Sequence, residues 1–251
     1  PPFSFGHWSE ERMSISIIPI KGVDIRFVEG AWPLSDELRA SVAPRWAEMI
    51  AANPHLWDGR IVGVTPPVIG DDGILRAEAK EDAFSAFLTW REAGFPQIGI
   101  HNLFGSALIM SNDGYMILGL MGEDTANAGK IYPAGGSLEP RDVLPDGRID
   151  VARSTQWELE EETGLNHADS RLGNLVAVLD GPRISIGQAF HFDATADALV
   201  AEIRANLETQ AHRELADVVA LRRAADAADR GQVMAYAAEL LDAWQDGRIT
   251  L

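Results

Sequence analysis

The stretch Trp157-Glu158-Leu159-Glu160-Glu161-Glu162-Thr163-Gly164-Leu165 places four glutamates within five positions. Upstream, Asp150-Val151-Ala152-Arg153-Ser154-Thr155-Gln156 reads as a helix start with Asp150 as N-cap, and Gly164 reads as the stop. The glutamates therefore crowd the last two turns of one helix, where the macrodipole is negative. Like charges three and four residues apart also repel, by roughly 0.2–0.5 kcal/mol per pair. Something has to offset that cost.

At about 100° per residue, Glu158, Glu161 and Glu162 fall side by side within an arc of roughly 100°, and Glu160 lies on the other flank. Ala152, Thr155 and Leu159 share one side and read as the core stripe. Three convergent carboxylates form an oxygen-rich site for a hard divalent cation such as Mg²⁺ or Mn²⁺. The ordinary reading of such a charge run is a solvated acidic helix end. Two features weigh against it: the position against the dipole, and the upstream segment Pro133-Ala134-Gly135-Gly136-Ser137-Leu138-Glu139. A glycine-rich turn lets a phosphate-bearing ligand or a metal-bound loop approach the backbone.

With these residues in place, the sequence resembles the Nudix hydrolase superfamily, whose signature is G-x5-E-x7-R-E-U-x-E-E-x-G-U with U a bulky apolar residue. Gly136 matches the first glycine, and Glu158, Leu159, Glu161, Glu162, Gly164 and Leu165 match the second half. The motif covers about 30 residues, and the flanking strands extend the likeness to roughly 104–221. The resemblance implies an α+β fold, a Nudix-type α/β/α sandwich around a mixed sheet, with the signature as loop–helix–loop. It implies Glu158, Glu161 and Glu162 as ligands of Mg²⁺ or Mn²⁺. There are two departures. The arginine that orients a metal-binding glutamate in the family is Trp157 here. The spacing from Gly136 to Trp157 is also seven residues too long, through Glu139-Pro140-Arg141-Asp142-Val143-Leu144-Pro145-Asp146-Gly147-Arg148-Ile149-Asp150. Counted back from the helix, the isolated glutamate of the signature falls on Ile149. Glu139, Asp142 and Asp150 are the candidates to replace it.

Composition narrows the classes. The chain has 251 residues, is 46% hydrophobic, and carries 21 Lys+Arg against 38 Asp+Glu, for a formal charge of −17. Such a surface repels a nucleic-acid polymer but admits a small anionic substrate given local cations. There are no cysteines, which excludes disulfides, thiolate catalysis and zinc–thiolate sites and fits the cytoplasm. No apolar run approaches about 18 residues, so no membrane helix is expected. Residues 1–12 lack the marks of a signal peptide, and Met13 is a candidate start.

Along the chain, Ser14–Ile20 and Val23–Val28 read as strands around Lys21-Gly22. Ser35 to Ala52 reads as a helix, Ile74–Ala79 as a strand and Glu81–Arg91 as a helix. Asn112-Asp113-Gly114 is a hairpin turn between apolar strands. Further strands are expected near 172–180, 184–192 and 215–221, and two helices close the chain, the last at about 231–245. This gives an N-terminal α/β region at 1–100 and a Nudix-like domain at 101–251. The segment Arg45-Trp46 to Ile61-Val62 is similar to the stretch ahead of the Nudix domain in the UDP-glucose-hydrolysing branch. It also reads, preferably, as a helix, turn and strand with Trp46 and Trp57 in the core. The N-terminal region is a place for substrate specificity or a homodimer contact.

The resemblance makes the substrate a nucleoside diphosphate linked to another group. Glu161 and Glu214 are the catalytic candidates, Glu214 as general base or extra ligand just before a strand. Gly135, Gly136, Lys130 and Arg183 are the substrate-binding candidates, with Arg213 a further cation. His101, His191 and His212 show no metal-binding spacing and read as structural. The rival class is a catalytically weakened Nudix-like domain that senses a nucleotide or metabolite, favoured by Trp157 and the missing glutamate.

Overall fold

The computed structural model describes residues 15–251; Met13 and the segment before it lie outside the described residues. Among these are β1 (Ser16–Ile20), β2 (Gly22–Phe27), α1 (Asp36–Ala52), β3 (Arg60–Val64), β4 (Val68–Ile69), β5 (Ile74–Ala83) and α2 (Phe84–Glu92). Then come β6 (His101–Met110), β7 (Met116–Met121), β8 (Lys130–Tyr132), α3 (Val151–Thr163), β9 (Ser170–Asp180) and β10 (Arg183–Phe192). The chain ends with α4 (Ala196–Leu207), β11 (Leu215–Leu221), β12 (Gln232–Val233) and α5 (Ala235–Gln245).

The described strands form one mixed sheet, ordered β1-β9-β10-β6-β3-β5-β2, with β7, β8, β11 and β12 branching from the far end of β6. β10 runs parallel to β6 along one edge, whereas β3 and β7 pair antiparallel with opposite ends of its other edge. Alternation along β6 explains the layers. Leu108 and Met110 face a core closed by Tyr236, Leu240 and Leu241 of α5. Ala107 and Ile109 face the opposite side, under Leu159 of α3 and Leu199 and Ile203 of α4. The chain thus forms the α/β/α sandwich around a mixed sheet that the resemblance implies.

The hydrogen-bonded ladder continues across residue 100. β1 covers the edge of β9, and β3 pairs with both β5 and β6. Ile20 and Ile25 share a core with Leu103, Leu138, Ile149 and Ile184. α1 and α2 pack at one side, where Leu38, Trp46 and Met49 meet Trp32, Phe87 and Trp90.

Several local expectations need correction. β5 runs on to Ala83, and α2 starts only at Phe84, because Glu81 and Asp82 pair with Val62 and Ile61 of β3. Buried Asp82 also accepts from the Trp32 N–H and pairs with Arg39 at 2.7 Å. Trp57 is not in the core: it is 78% exposed, with its ring over Gly59. One helix closes the chain, not two. The stretch after β11 makes only a 3₁₀ turn at Ala224–Ala227, where the Asp226 carboxylate accepts from the Arg222 and Arg223 N–H groups. Such side-chain bonds compete with helix. The other C-terminal helix, α4, lies between β10 and β11, capped by Thr195. No described helix is long and apolar enough to cross a membrane.

Candidate active site

The glycine-rich segment lies along the edge of β6 in the gap between β3 and β7. Gly105 N–H donates to Gly136 O at 3.1 Å, and Ala107 N–H to Ala134 O at 2.7 Å. Neither Gly135 nor Gly136 has a positive φ, so their requirement is steric. A Cβ on Gly135 would stand 2.1 Å from the carbonyl oxygen of Gly105. A Cβ on Gly136 would stand 2.6 Å from Glu158 Oε1. The backbone here is packed directly against a carboxylate.

α3 delivers that carboxylate. Asp150 caps its start by accepting from the Arg153 N–H, and Gly164 ends it with φ 76°. The crowded C-terminal end has specific partners. Gln210 Nε2 donates to Glu161 O at 2.9 Å. Glu160, on the outer flank, meets His167 Nδ1 at 2.6 Å. Thr155 and Leu159 are buried as expected, but Ala152 is exposed. The first turn of α3 instead borders a cleft of about 660 Å³ with Arg26, Arg148 and Gln188, which none of the glutamates lines.

Glu162 is buried and accepts from the Gly135 N–H at 3.1 Å. Its carboxyl is pushed well above the usual range, first by desolvation and then by Glu158 and Glu214. Glu158, 14% exposed, is pushed up to about 7 by burial, with Arg141 opposing and Glu161, Glu214 and Glu139 adding. Glu161 is more open, with 58% of its side chain exposed. Glu214 precedes β11, where its carbonyl accepts from Gly122 N–H at 2.7 Å. Its side chain keeps an exposed surface at the rim, while desolvation and Glu161 raise its carboxyl. Glu158, Glu161, Glu162 and Glu214 are thus electrostatic neighbours.

Glu139 joins them. It is raised by burial first and also feels Glu161 and Glu214. Of the three candidates for the isolated glutamate it alone faces this group. Asp142 is fully buried and accepts from Glu139 N–H at 2.8 Å and Ser154 Oγ–H at 3.2 Å. Asp150 is the helix cap. Lys130 and Arg183 are not brought to the carboxylates by any ion pair. Lys130 donates to Gln232 on β12, and Arg183 pairs with Asp180 across the β9–β10 turn.

The two departures from the signature meet at one residue. The additional chain folds as a 3₁₀ turn at Pro140–Asp142 and a loop that docks on β2 through Phe27 N–H to Gly147 O and Ile149 N–H to Ile25 O. This turn holds Arg141 over Trp157, with its guanidinium carbon 5.3 Å from the ring centre, and Arg153 stacks on the same ring at 4.7 Å. Arg141 contacts Glu139 at 3.1 Å, Glu158 at 3.3 Å and Glu161 at 3.5 Å. A guanidinium therefore reaches the glutamates although position 157 is tryptophan. The sequence did carry a signal: a missing arginine beside an insertion whose second charged residue is arginine.

The donor set fits a hard divalent cation. It is all oxygen, its carboxylates are raised first by burial and then by neighbouring carboxylates, and Gly136 lets Glu158 seat directly against the backbone. Among the described residues, however, no three metal-ligating side chains stand in chelating geometry. In this arrangement the cation that meets the glutamates is Arg141.

No protein-family model matches the chain, and no curated protein sequence matches it. It is similar in trace to a MutT protein from Methanosarcina mazei, with 17% identity, 60% of this chain and 96% of that one covered, and a TM-score of 0.40. A Nudix hydrolase from Nitrosomonas europaea gives 13% identity, 59% and 90% coverage, and 0.39. The Nudix hydrolase RenU from M. smegmatis gives 15% identity, 60% and 88% coverage, and 0.36. Likenesses of this size concern the fold alone.

Proposed function

We propose that the chain is a metal-dependent Nudix-type hydrolase that cleaves the pyrophosphate of a nucleoside diphosphate linked to another moiety. The observation that carries this reading is the seating of Glu158 and Glu162 against Gly135-Gly136, withdrawn from water, with both carboxyls raised first by that burial and further by Glu214. A solvated acidic helix end has no reason to bury its charges.

Glu158, Glu161 and Glu162 would hold Mg²⁺ or Mn²⁺. When bound, the cation supplies charge neutralisation of a diphosphate and acidifies a coordinated water. The remaining steps belong to the chain. Gly135 and Gly136 let the backbone close on Gly105 and on the Glu158 carboxylate, and the Gly135 N–H holds Glu162 in place. Glu214, exposed at the rim, accepts the proton of the attacking water. Water oxygen bonds to one phosphorus, the bridging P–O bond breaks, and the second phosphate leaves as an anion. The short likeness of residues 45–62 to the UDP-glucose-hydrolysing branch makes a UDP-sugar the first substrate to try.

The test is nucleoside monophosphate release from UDP-sugars, ADP-ribose, NADH, CoA and dinucleoside polyphosphates, with Mg²⁺ or Mn²⁺. Turnover of one class is expected, reduced by roughly two orders of magnitude or more in Glu161→Gln. Nucleotide binding without turnover of any compound would favour the sensor reading. That second reading has one observation behind it, the ion pairing of Arg141 with the carboxylates.

A further inference from the structure

We propose that Arg141 is an internal counter-cation that competes with the divalent cation for Glu158 and Glu161, so that the site is loaded only when this side chain swings away. The inference rests on the reading of these glutamates as metal ligands and adds a control that the signature does not contain.

Three observations carry it. First, the guanidinium takes one oxygen of each of Glu139, Glu158 and Glu161, at 3.1, 3.3 and 3.5 Å. It thus spans the carboxylates that a cation would draw together, and among the described residues no chelating triad is formed around it. Second, its backbone is fixed while its side chain is not enclosed. Arg153 donates to the Arg141 carbonyl at 2.9 Å, and Asp142, next in sequence, is fully buried. The Arg141 side chain itself is 39% exposed, and two of its three contacts are long for charged hydrogen bonds. Third, Arg141 lies over the Trp157 ring, shared with Arg153, so that the guanidinium keeps an aromatic contact when its ion pairs part.

The other plausible role is positioning, with Arg141 orienting Glu158 for the metal as an arginine at position 157 would. The two roles predict opposite signs. A positioning residue raises metal affinity, and its loss weakens binding. A competing charge lowers affinity. A unit positive charge within a few ångströms of a dication repels it even in water-like dielectric, so removing it should tighten Mn²⁺ binding.

The experiment is titration of the full chain with Mn²⁺ by calorimetry and by the loss of the free-ion EPR signal. Wild type, Arg141→Gln and Arg141→Lys are compared, with folding checked by circular dichroism. Arg141→Gln should bind Mn²⁺ at least tenfold more tightly than wild type, and Arg141→Lys, which keeps the charge, should stay near wild type. Without metal, Arg141→Gln should melt at a lower temperature than wild type, and Mn²⁺ should reverse the difference. Equal or weaker binding by Arg141→Gln, with wild type still binding, overturns the proposal and leaves the hydrolase reading standing. Absence of binding by all three chains at millimolar Mn²⁺ overturns both.

Discussion

Gly136 is required by a contact rather than by a backbone angle. Its missing Cβ leaves room for Glu158 Oε1, 2.6 Å from where that atom would be. In Gly136→Ala the carboxylate, being the far end of a flexible side chain, moves instead of the backbone. The fold should therefore persist while hydrolysis falls by about tenfold or more, read from kcat/KM and melting temperature together. Gly135→Ala should behave differently, because its Cβ would meet the Gly105 carbonyl at 2.1 Å. The backbone there cannot yield cheaply, and a loss of about 1–3 kcal/mol in stability is expected from denaturant unfolding. Glu158 adds a pH dependence. Its carboxyl is raised to about 7, so between the usual carboxylate range and pH 7 the folded chain binds more protons than the unfolded one. Stability should therefore fall as pH rises through that window, by an amount on the order of 3 kcal/mol. Unfolding at pH 5 and pH 7.5 without metal should show the loss, and Glu158→Gln should remove the share that Glu158 contributes, leaving the share of Glu162, whose carboxyl is also raised.

At the scale of elements, α3 and the segment at 139–150 act as one unit. Ser154 and the Glu139 N–H both donate to Asp142 Oδ2, and Asp150 N–H donates to the Asp142 carbonyl at 2.9 Å. The second carboxylate oxygen, Oδ1, is buried without a partner, and burial raises the group. Asp142→Asn should accordingly be nearly neutral in stability, whereas Asp142→Ala leaves two donors unpaired and should cost about 1–3 kcal/mol. Thermal unfolding of the two variants separates these outcomes. Much of this unit was legible in the sequence. The Asp150 cap, the Gly164 stop and the common strip of Glu158, Glu161 and Glu162 follow from local rules that hold within one helix. What was not legible is long-range. Arg141 sits 16 positions before Trp157 and reaches it only because the intervening loop docks on β2. No spacing rule selects Glu139 over Asp142 or Asp150, since the choice depends on which carboxyl the 3₁₀ turn buries. The extension of the 74–79 strand to Ala83 and the position of α4 were hidden for the same reason: partner strands and packing set their limits, not local propensity.

At the scale of the whole molecule, residues 15–100 and 101–251 contribute to one sheet and share a core cluster. Val62, Val64, Leu75 and Ala79 pack with Leu103, Leu138, Ile149 and Ile184. The loop that carries Arg141 is tied to β2, so the N-terminal region supports the site although it supplies none of the glutamates. A chain reduced to residues 101–251 would leave that face and the β9 edge uncovered. It should be largely insoluble or should lose cooperative unfolding, as checked by size-exclusion chromatography and calorimetry.

On the proposed function, the dipole-opposed glutamates are tolerated because they hold a divalent cation. The most direct measurement is the melting temperature of wild type and of the Glu158→Gln, Glu161→Gln, Glu162→Gln triple variant, with and without Mn²⁺ at pH 7.5. Mn²⁺ at about 100 times its Kd should stabilise wild type by about 2.7 kcal/mol, a shift of several degrees. The triple variant should melt above metal-free wild type and ignore Mn²⁺. A wild type that ignores Mn²⁺, with no gain from removing the three charges, would mean that the glutamates are an ordinary solvated helix end and would contradict the account.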